Sequence, residues 1–512
     1  MRNLLLLLFF IPALVWAQNQ KASLKLANDY FNAGNYESAL QMYLSLQNDN
    51  PNDQKVNYKI GVCYLNSNVN KSRAIPFLEK VMANDKDEPN ASFLLGRAFH
   101  FANKFDDAIK YYSLFKSNNK GNPNNIKDVD LELQACYNAK ELIKYPVNVE
   151  FENLGKMINS SFSDDFPFVP KDESFILFNS RREGNSQGID GKFFSDVYIS
   201  YVKEGKWSMA KPLKEINTPE GDEEIIGLSS DGSTALFMFD NNLGSGDLFI
   251  SKRTGDKFEK PQRLPDVINS KFNEIAASLS ADGSQIYFAS DRSGGFGGID
   301  IYVSKILPNG NWGEAKNLGP FVNTKFDEDF PSISNDGTTL LFSSKGHTTM
   351  GGYDIFKATY DEDKQAWGNV KNIGFPINSA GDDLNLCLSK DNKYGYMSSI
   401  KVEGLGDNDI YRIAFKDEEP EYTVIKGKIS CMDDLRTVNS ANITVNRVTD
   451  MELMGTYLPN PQNMRYVIIL PPGKYEFIIE GEGFKTYTEK IEVLDKSSFK
   501  PYVEKDVKLI PN

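Results

Sequence analysis

Histidine is nearly absent from this chain. Only His100 and His347 occur in 512 residues, which leaves no material for a Ser-His-Asp triad or a His-rich metal site. Cysteine is scarce as well. Cys63, Cys136, Cys387 and Cys431 fall in three regions with no paired ligand spacing, so no disulfide framework or zinc site is expected. Cys63 reads as a small buried hydrophobe on an apolar helix face. Basic charge is also short, because 57 Lys and Arg against 70 Asp and Glu give a net charge of −13. That balance does not suit phosphate neutralisation and argues against nucleic acid as a partner. No Gly-Lys-Ser/Thr phosphate loop is present. Ser293 to Gly298 is Gly-rich but joins two expected strands and opens no helix, so it lacks the N–H cradle of a nucleotide site. The one marked apolar run, Leu4 to Val15, is broken by Pro12 and too short to span a bilayer comfortably.

That run has a purpose of its own. Met1-Arg2-Asn3 is a short basic start, and Val15-Trp16-Ala17 before Gln18 places small residues where signal peptidase requires them. Residues 1–17 are expected to be a cleaved secretory signal, with no integral span left afterwards. No cysteine lies near the cleavage site to receive a lipid.

The most informative feature is a unit of about 55 residues written five times between Asp164 and Tyr411. Its third copy reads Ser280-Ala281-Asp282-Gly283, Gln285 to Ser290, Gly298-Ile299-Asp300-Ile301-Tyr302 and Trp312. The fourth reads Asn335-Asp336-Gly337, Leu340 to Ser344, Gly352-Tyr353-Asp354-Ile355-Phe356 and Trp367. Two aspartate series keep step at spacings of 51 to 59 residues. One is Asp172, Asp231, Asp282, Asp336 and Asp391, and the other is Asp196, Asp247, Asp300, Asp354 and Asp409. Each unit reads as four strands, with an Asp-Gly hairpin between the first two. Five units predict a five-bladed propeller over residues 145–416. A sixth blade, built from Val147 to Leu154 plus a divergent strand, is the alternative. The first and last copies lack the turn glycine, since Glu173 follows Asp172 and Asn392 follows Asp391. Terminal repeats often depart from the pattern because one of their neighbours is the closure seam.

Upstream, residues 20–144 read as helices. Leu26-Ala27, Tyr30, Gly34, Ala39, Tyr43 and Pro51 fit a 34-residue helix pair, as do Leu95-Gly96, Phe99, Ala108 and Tyr112. A middle pair carries Ile60-Gly61, Tyr64, Ala74 and Leu78, and Leu131 to Ile143 is expected to cap the array. Tyr145-Pro146 ends the helices. Downstream, residues 421–511 alternate in short strands such as Thr423 to Ile429 and Ala441 to Val445. After the turn Pro471-Pro472-Gly473, residues Tyr475, Phe477 and Ile479 point one way. This predicts a small β-sandwich. The fold class is therefore multidomain: an all-α solenoid, an all-β propeller and a small β-sandwich.

No catalytic, cofactor or metal residue is assigned. His100, beside Phe99 and Phe101, is expected to pack or line a groove, and His347 to lie in a solvated loop. Asp240-Asn241-Asn242 with Asp247, and Asp407-Asn408-Asp409, resemble oxygen-rich calcium loops. Their place in the repeat favours turn aspartates that bond backbone N–H groups in every blade. Ser280 to Gly283 superficially resembles the Asp-box of sialidases, but its Asp and Gly are adjacent where that motif separates them. Trp207 and Trp312 are aromatic platforms a sugar would stack on, although their repeat-locked places favour blade core.

The helical array resembles a three-repeat tetratricopeptide domain. The unit Ser-x-Asp-Gly, apolar-x-Phe-x-Ser, Gly-x-Asp-Ile-Tyr resembles the TolB-type propeller repeat, a relative of WD-repeat propellers. Ile469 to Tyr475 with Gly483-Phe484 resembles the carboxypeptidase regulatory-like sandwich. Signal peptide, array, propeller and sandwich in that order are similar to Bacteroidetes envelope proteins of the OmpA family, some of them components of type IX secretion and gliding machinery. Such proteins usually continue into an OmpA-like peptidoglycan-binding domain, whereas this sequence stops at Leu509-Ile510-Pro511-Asn512. Direct peptidoglycan binding is therefore not carried over. The resemblance implies a non-catalytic protein-binding scaffold or adaptor, periplasmic and associated with the outer membrane. Its partners would be outer-membrane or secretion-machinery proteins, held by a groove near Tyr30, Tyr64 and Phe99 and by propeller loops at Gly244-Ser245, Gly294-Gly295 and Met350-Gly351. The alternative function is a propeller that binds glycan or peptidoglycan fragments.

Overall fold

A computed structural model describes residues 23–512 apart from 68, 85–87, 119, 189–191, 241–245, 362–363, 390–392, 402, 417–422, 434–435 and 494–501. The expected signal segment lies outside the described residues, as do Asn241, Asn242, Gly244, Ser245, Asp391 and Asn392. The chain divides into two compact units, residues 1–130 and 131–512, with the boundary inside a helix. Among the described residues no helix is long and apolar enough to cross a membrane.

The first unit is helical: α1 (Leu24–Asn32), α2 (Tyr36–Asp49), α3 (Gln54–Asn66), α4 (Ile75–Asn84), α5 (Ala91–Phe101), α6 (Phe105–Asn118) and the start of α7 (Pro123–Leu142). Side-chain caps fix the starts, because Ser23, Asn35 and Asp53 accept from the amides of Leu26, Ser38 and Val56. The helix pairs cross at small residues. A Cβ on Gly61 would meet Leu78 at 2.5 Å, and one on Gly96 would meet Tyr112 at 2.8 Å. The middle pair differs from its neighbours in that a short 3-10 turn, Lys71–Ala74, precedes α4. The expected cap at Leu131 is the second half of α7, one continuous helix.

The second unit holds the propeller. After β1 (Val149–Asn153) come five antiparallel sheets. Blade 1 is β2 (Asp164–Phe168), β3 (Phe175–Ser180), β4 (Asp196–Lys203), β5 (Lys206–Trp207) and β6 (Lys211–Pro212). Blade 2 is β7 (Glu223–Leu228), β8 (Thr234–Asp240), β9 (Gly246–Thr254), β10 (Lys257–Phe258) and β11 (Gln262–Arg263). Blade 3 is β12 (Glu274–Leu279), β13 (Gln285–Ser290), β14 (Asp300–Lys305) and β15 (Lys316–Asn317). Blade 4 is β16 (Glu328–Ile333), β17 (Thr339–Ser344), β18 (Asp354–Asp361) and β19 (Ala366–Asn372). Blade 5 is β20 (Cys387–Leu388), β21 (Tyr394–Ser399) and β22 (Asp409–Phe415), with β1 as its outer strand.

Five apolar cores close the ring, one between each pair of neighbouring blades. Phe175, Leu177, Ile225 and Phe237 join blades 1 and 2, and Leu236, Ile286 and Phe288 join 2 and 3. Tyr287, Leu340 and Phe342 join 3 and 4, and Leu341, Met397 and Ile413 join 4 and 5. Ile176, Phe178, Tyr396 and Ile410 join 5 back to 1. The segment considered for a sixth blade is thereby corrected. Val149 to Asn153 pairs antiparallel with β22, Val149 facing Phe415 and Asn153 facing Tyr411. It supplies the outer strand that the last repeat lacks, so the ring is fastened by the strand that precedes its first blade.

Beyond the propeller, two sheets form the sandwich. One is ordered β26 (Arg465–Leu470), β23 (Thr423–Cys431), β29 (Tyr502–Glu504), with β30 (Val507–Leu509) also on β23. The other is ordered β25 (Leu453–Tyr457), β24 (Asn442–Arg447), β27 (Gly473–Glu480), β28 (Tyr487–Val493). Tyr475, Phe477 and Ile479 are buried together with Ile443, Val445, Ile468 and Leu470, as strand alternation requires.

Candidate functional site

The recurrent polar residues of the propeller gather at one end of each blade, where the first and third strands begin. There they form the same bonds in all five blades. Asn159, Asn217, Asn269, Asn323 and Asn378 each lie just before a first strand and clasp a third strand. Each accepts from one backbone N–H and donates to the same residue's carbonyl: Ile410, Val197, Leu248, Ile301 and Ile355, at 2.8 to 3.0 Å. A carboxamide does this because it presents one donor and one acceptor side by side, as a peptide group does. The next residue, Ser160, Thr218, Ser270, Thr324 or Ser379, gives its amide and hydroxyl to a buried carboxylate. These are Asp164, Glu223, Glu274, Glu328 and Asp383. The signature, Ile or Val, then Asn, then Ser or Thr, with an acid four or five residues on, stands five times in the sequence. Reading the hairpin aspartates alone missed it.

A cation seat accompanies the clasp. In blade 1 the Arg182 guanidinium holds Asp164 at 2.5 Å and the Ile158 carbonyl at 2.7 Å, over the rings of Phe178 and Tyr198. In blade 3 Arg292 holds Glu274 at 2.9 Å and the Ile268 carbonyl at 2.5 Å, over Phe288 and Tyr302. In blade 4 the seat is taken by His347. Its Nε2 meets the Val322 carbonyl at 2.9 Å, and its ring lies against Phe342 and Phe356. His347 is thus a half-buried member of the repeat, which corrects the expectation of a solvated loop. Burial lowers its pKa. In blade 5 Lys401 lies over Phe151 and Tyr411, and burial lowers its pKa too.

The consequence is a buried carboxylate without a cation. Glu328 has no ion-pair partner among the described residues. Burial, with Asp300 adding, pushes it up to about 7. Its neighbour Asp329 is 6% exposed and is pushed by burial, with Asp327 adding, to about 7. Asp383 is raised well above the ordinary carboxylate range by burial and by Asp354.

The third-strand aspartates serve the loops. Asp300 accepts from the amides of Phe296 and Gly297 and from Asn317. Asp409 accepts from Leu405, Gly406 and Asn153. Asp354 accepts from Met350 and Asn372. Backbone bonding is not universal, however. Asp247 takes Arg263 at 2.9 Å. In blade 1 the fourth-strand partner position is Pro212, which has no donor to offer Asp196. Burial and Asp222 push Asp196 to about 6. The hairpin aspartates bond their own turns: Asp282 accepts from Ser280 and Ser284, which holds it down at about 2. Among the described residues no group of three or more His, Cys, Asp or Glu is placed to hold a metal.

Several sequence-singled residues are buried, and Trp207 and Trp312 are half-buried. Trp207 and Trp312 pack against blade cores. Met350 is fully buried, and a Cβ on Gly351 would strike the Ala380 backbone, so this loop is closed, while Gly294 and Gly295 are exposed. Tyr64 and Phe99 are buried, stacked on Phe77 and Tyr111, so they hold helices together and do not line a groove. Tyr30 is half-buried. His100 packs edge-on against Phe105 and Tyr112.

The tetratricopeptide repeat family matches residues 21–53. Among curated proteins none matches the chain. Solved structures resemble it at low identity. TolB from Acinetobacter baumannii is 16% identical with a TM-score of 0.34, over 51% of this chain and 57% of that one. A putative TolB from Agrobacterium tumefaciens is 15% identical with a TM-score of 0.29, over 53% and 98%. An α-L-arabinanase from Penicillium chrysogenum, complexed with arabinobiose, is 11% identical with a TM-score of 0.31, over 50% and 93%. At these values the likenesses assign no function. The sheet order and the repeat match leave a tetratricopeptide helical region followed by a five-bladed propeller, both consistent with a protein-binding scaffold.

Proposed function

We propose that this protein is a non-catalytic adaptor of the bacterial cell envelope. It is exported to the periplasm, associated with the outer membrane and linked to secretion or gliding machinery. One observation carries the non-catalytic part. The carboxylates and carboxamides that would make an active site are used five times over in the same intramolecular clasp, joined by an arginine in blades 1 and 3. In blade 4, where the seat has no arginine, His347 is set on a backbone carbonyl. The glycan reading is weakened because the Trp207 and Trp312 platforms are packed against blade cores. The envelope assignment rests on the signal-like N-terminus and the domain order.

Fractionation of cells expressing the tagged protein, followed by affinity capture from crosslinked envelopes, tests the proposal. Recovery with outer-membrane or secretion proteins is expected. A cytosolic protein with residues 1–17 intact, or capture of glycan without protein, would overturn it.

A further inference from the structure

We infer that two copies of this chain associate through β26 of the sandwich, their free strand edges pairing antiparallel about Ile468.

β26 closes one side of its sheet. Its register with β23 runs without a bulge from Arg465 facing Lys428 to Leu470 facing Thr423. No strand among the described residues pairs with it on the other side. The Ile429 amide donates to the Met464 carbonyl at 2.9 Å. By alternation Tyr466, Ile468 and Leu470 turn their backbone groups toward β23, and Val467 and Ile469 turn theirs away. Natural sheets blunt such edges with charge, bulges or short strands. The other edges of this sandwich do so. β28 carries Glu489, Lys490 and Glu492, β25 meets its neighbour through a bulge at Val445 to Asn446, and β29 and β30 have three residues each. β26 carries no charge between Arg465 and Pro471, and Val467 and Ile469 are 57% and 51% exposed.

What this edge leaves free is complementary to itself. At one end the Arg465 amide donates to Asn463 Oδ1 at 3.0 Å, and its carbonyl accepts from the Asn460 amide at 2.7 Å. At the other end Pro471 has no amide, and its carbonyl accepts from the Tyr475 hydroxyl at 2.8 Å. The amides and carbonyls of Val467 and Ile469 remain. With Ile468 on a two-fold axis, Val467 of each copy faces Ile469 of the other and exchanges both bonds with it. Four bonds then form, and none of those groups is left over. The same register sets valine against isoleucine twice on the exposed face, as favourable cross-strand pairs. Lys426, which faces Val467 within the sheet, is answered in its own chain by Glu504 at 3.4 Å, so no like charge opposes the pairing. A ladder this short buries well under the roughly 800 Å² per partner of a standard interface, so the association is weak and reversible.

Sedimentation velocity of the purified protein over a concentration series tests this. Wild type is expected to pass from monomer to dimer as concentration rises. Val467→Lys with Ile469→Lys sets lysine against lysine twice in this register and should weaken association about ten-fold or more. Val467→Lys with Ile469→Glu sets lysine against glutamate at the same two places and should restore it to within a few-fold of wild type. If the double-lysine variant fails to unfold cooperatively, Val467→Glu with Ile469→Glu replaces it. A wild type that stays monomeric throughout would overturn the inference and leave the edge to an extended segment of another protein. Association undiminished by like charges, or lost equally in the lysine–glutamate variant, would overturn it too.

Discussion

Phe166 and Phe330 stack on each other with ring centroids 4.5 Å apart and planes at 33°. They belong to the innermost strands of blades 1 and 4, which are not neighbours in the five-bladed ring, so they meet across its axis. Each stands in an Asp-Phe-Pro bulge, at φ of 51° and 47°, a region costly for a residue with a Cβ. A Phe166→Ala, Phe330→Ala double-mutant cycle should give a coupling of about 1 kcal/mol. Strictly additive single-mutant effects in chemical denaturation would mean the stack contributes nothing.

Blade 4 makes the propeller respond to pH in the direction opposite to ordinary acid denaturation. Glu328 and Asp329 titrate near 7 when folded and near 4 when unfolded. Between those values the native state binds more protons, so stability falls as pH rises through the window from about 4 to 7. Asp329→Asn should raise the unfolding free energy at pH 8, by an amount on the order of 2–4 kcal/mol, and leave pH 4 nearly unchanged. His347→Arg, which restores the cation found in blades 1 and 3, should also stabilise at pH 8. An unfolding midpoint that rises from pH 5 to pH 8 in the wild type, and is unmoved by either change, would refute this account.

The clasp should be expensive to break. Asn323 holds the Ile301 amide and carbonyl at 2.8 and 2.9 Å and the Asn317 side chain at 2.8 Å, while 1% exposed. Asn323→Ala strands those groups and should cost about 2–4 kcal/mol. Asn323→Asp should cost at least as much, because it sets a charge against a carbonyl oxygen. Urea unfolding of the three proteins measures both, and an aspartate variant as stable as wild type would be inconsistent with the amide's double role.

The missing glycine of the first repeat has a structural counterpart. Glu173 takes the left-handed position, φ 51°, that Gly232, Gly283 and Gly337 fill in blades 2 to 4. Its carboxylate accepts from the Tyr396 hydroxyl at 2.9 Å and Arg412 at 3.0 Å, both in blade 5. A strained turn residue therefore ties the first blade to the last. Glu173→Ala should destabilise more than Glu173→Gly, by about 1 kcal/mol, since glycine relieves the strain and alanine keeps it. Equal losses in thermal unfolding would remove the strain from the account.

Much of the architecture was legible because repetition is a sequence property. Asp282-Gly283 and Asp336-Gly337 mark hairpins wherever they occur, and the two aspartate series give the blade count. Ring closure was less legible, because Val149 to Asn153 carries no repeat signature and only its pairing with β22 gives it a place. The clasp was legible in principle, five times over, in Ile or Val, Asn, Ser or Thr, but its meaning depends on a third strand distant in sequence. His347 looked like a loop residue because its seat is defined by Arg182 and Arg292, and an alignment of blades, not of motifs, brings the three together. In the helical unit, Tyr64 and Phe99 looked like groove residues because an aromatic at a helix crossing reads alike from either side.

The measurement that tests the central claim most directly is lysine-directed crosslinking in intact cells, with the linked peptides identified by mass spectrometry. The adaptor account predicts intermolecular links from envelope proteins at lysines of the helical unit, such as Lys25, Lys55 or Lys59. Crosslinks confined to this chain, with those lysines modified but joined to no other protein, would contradict it.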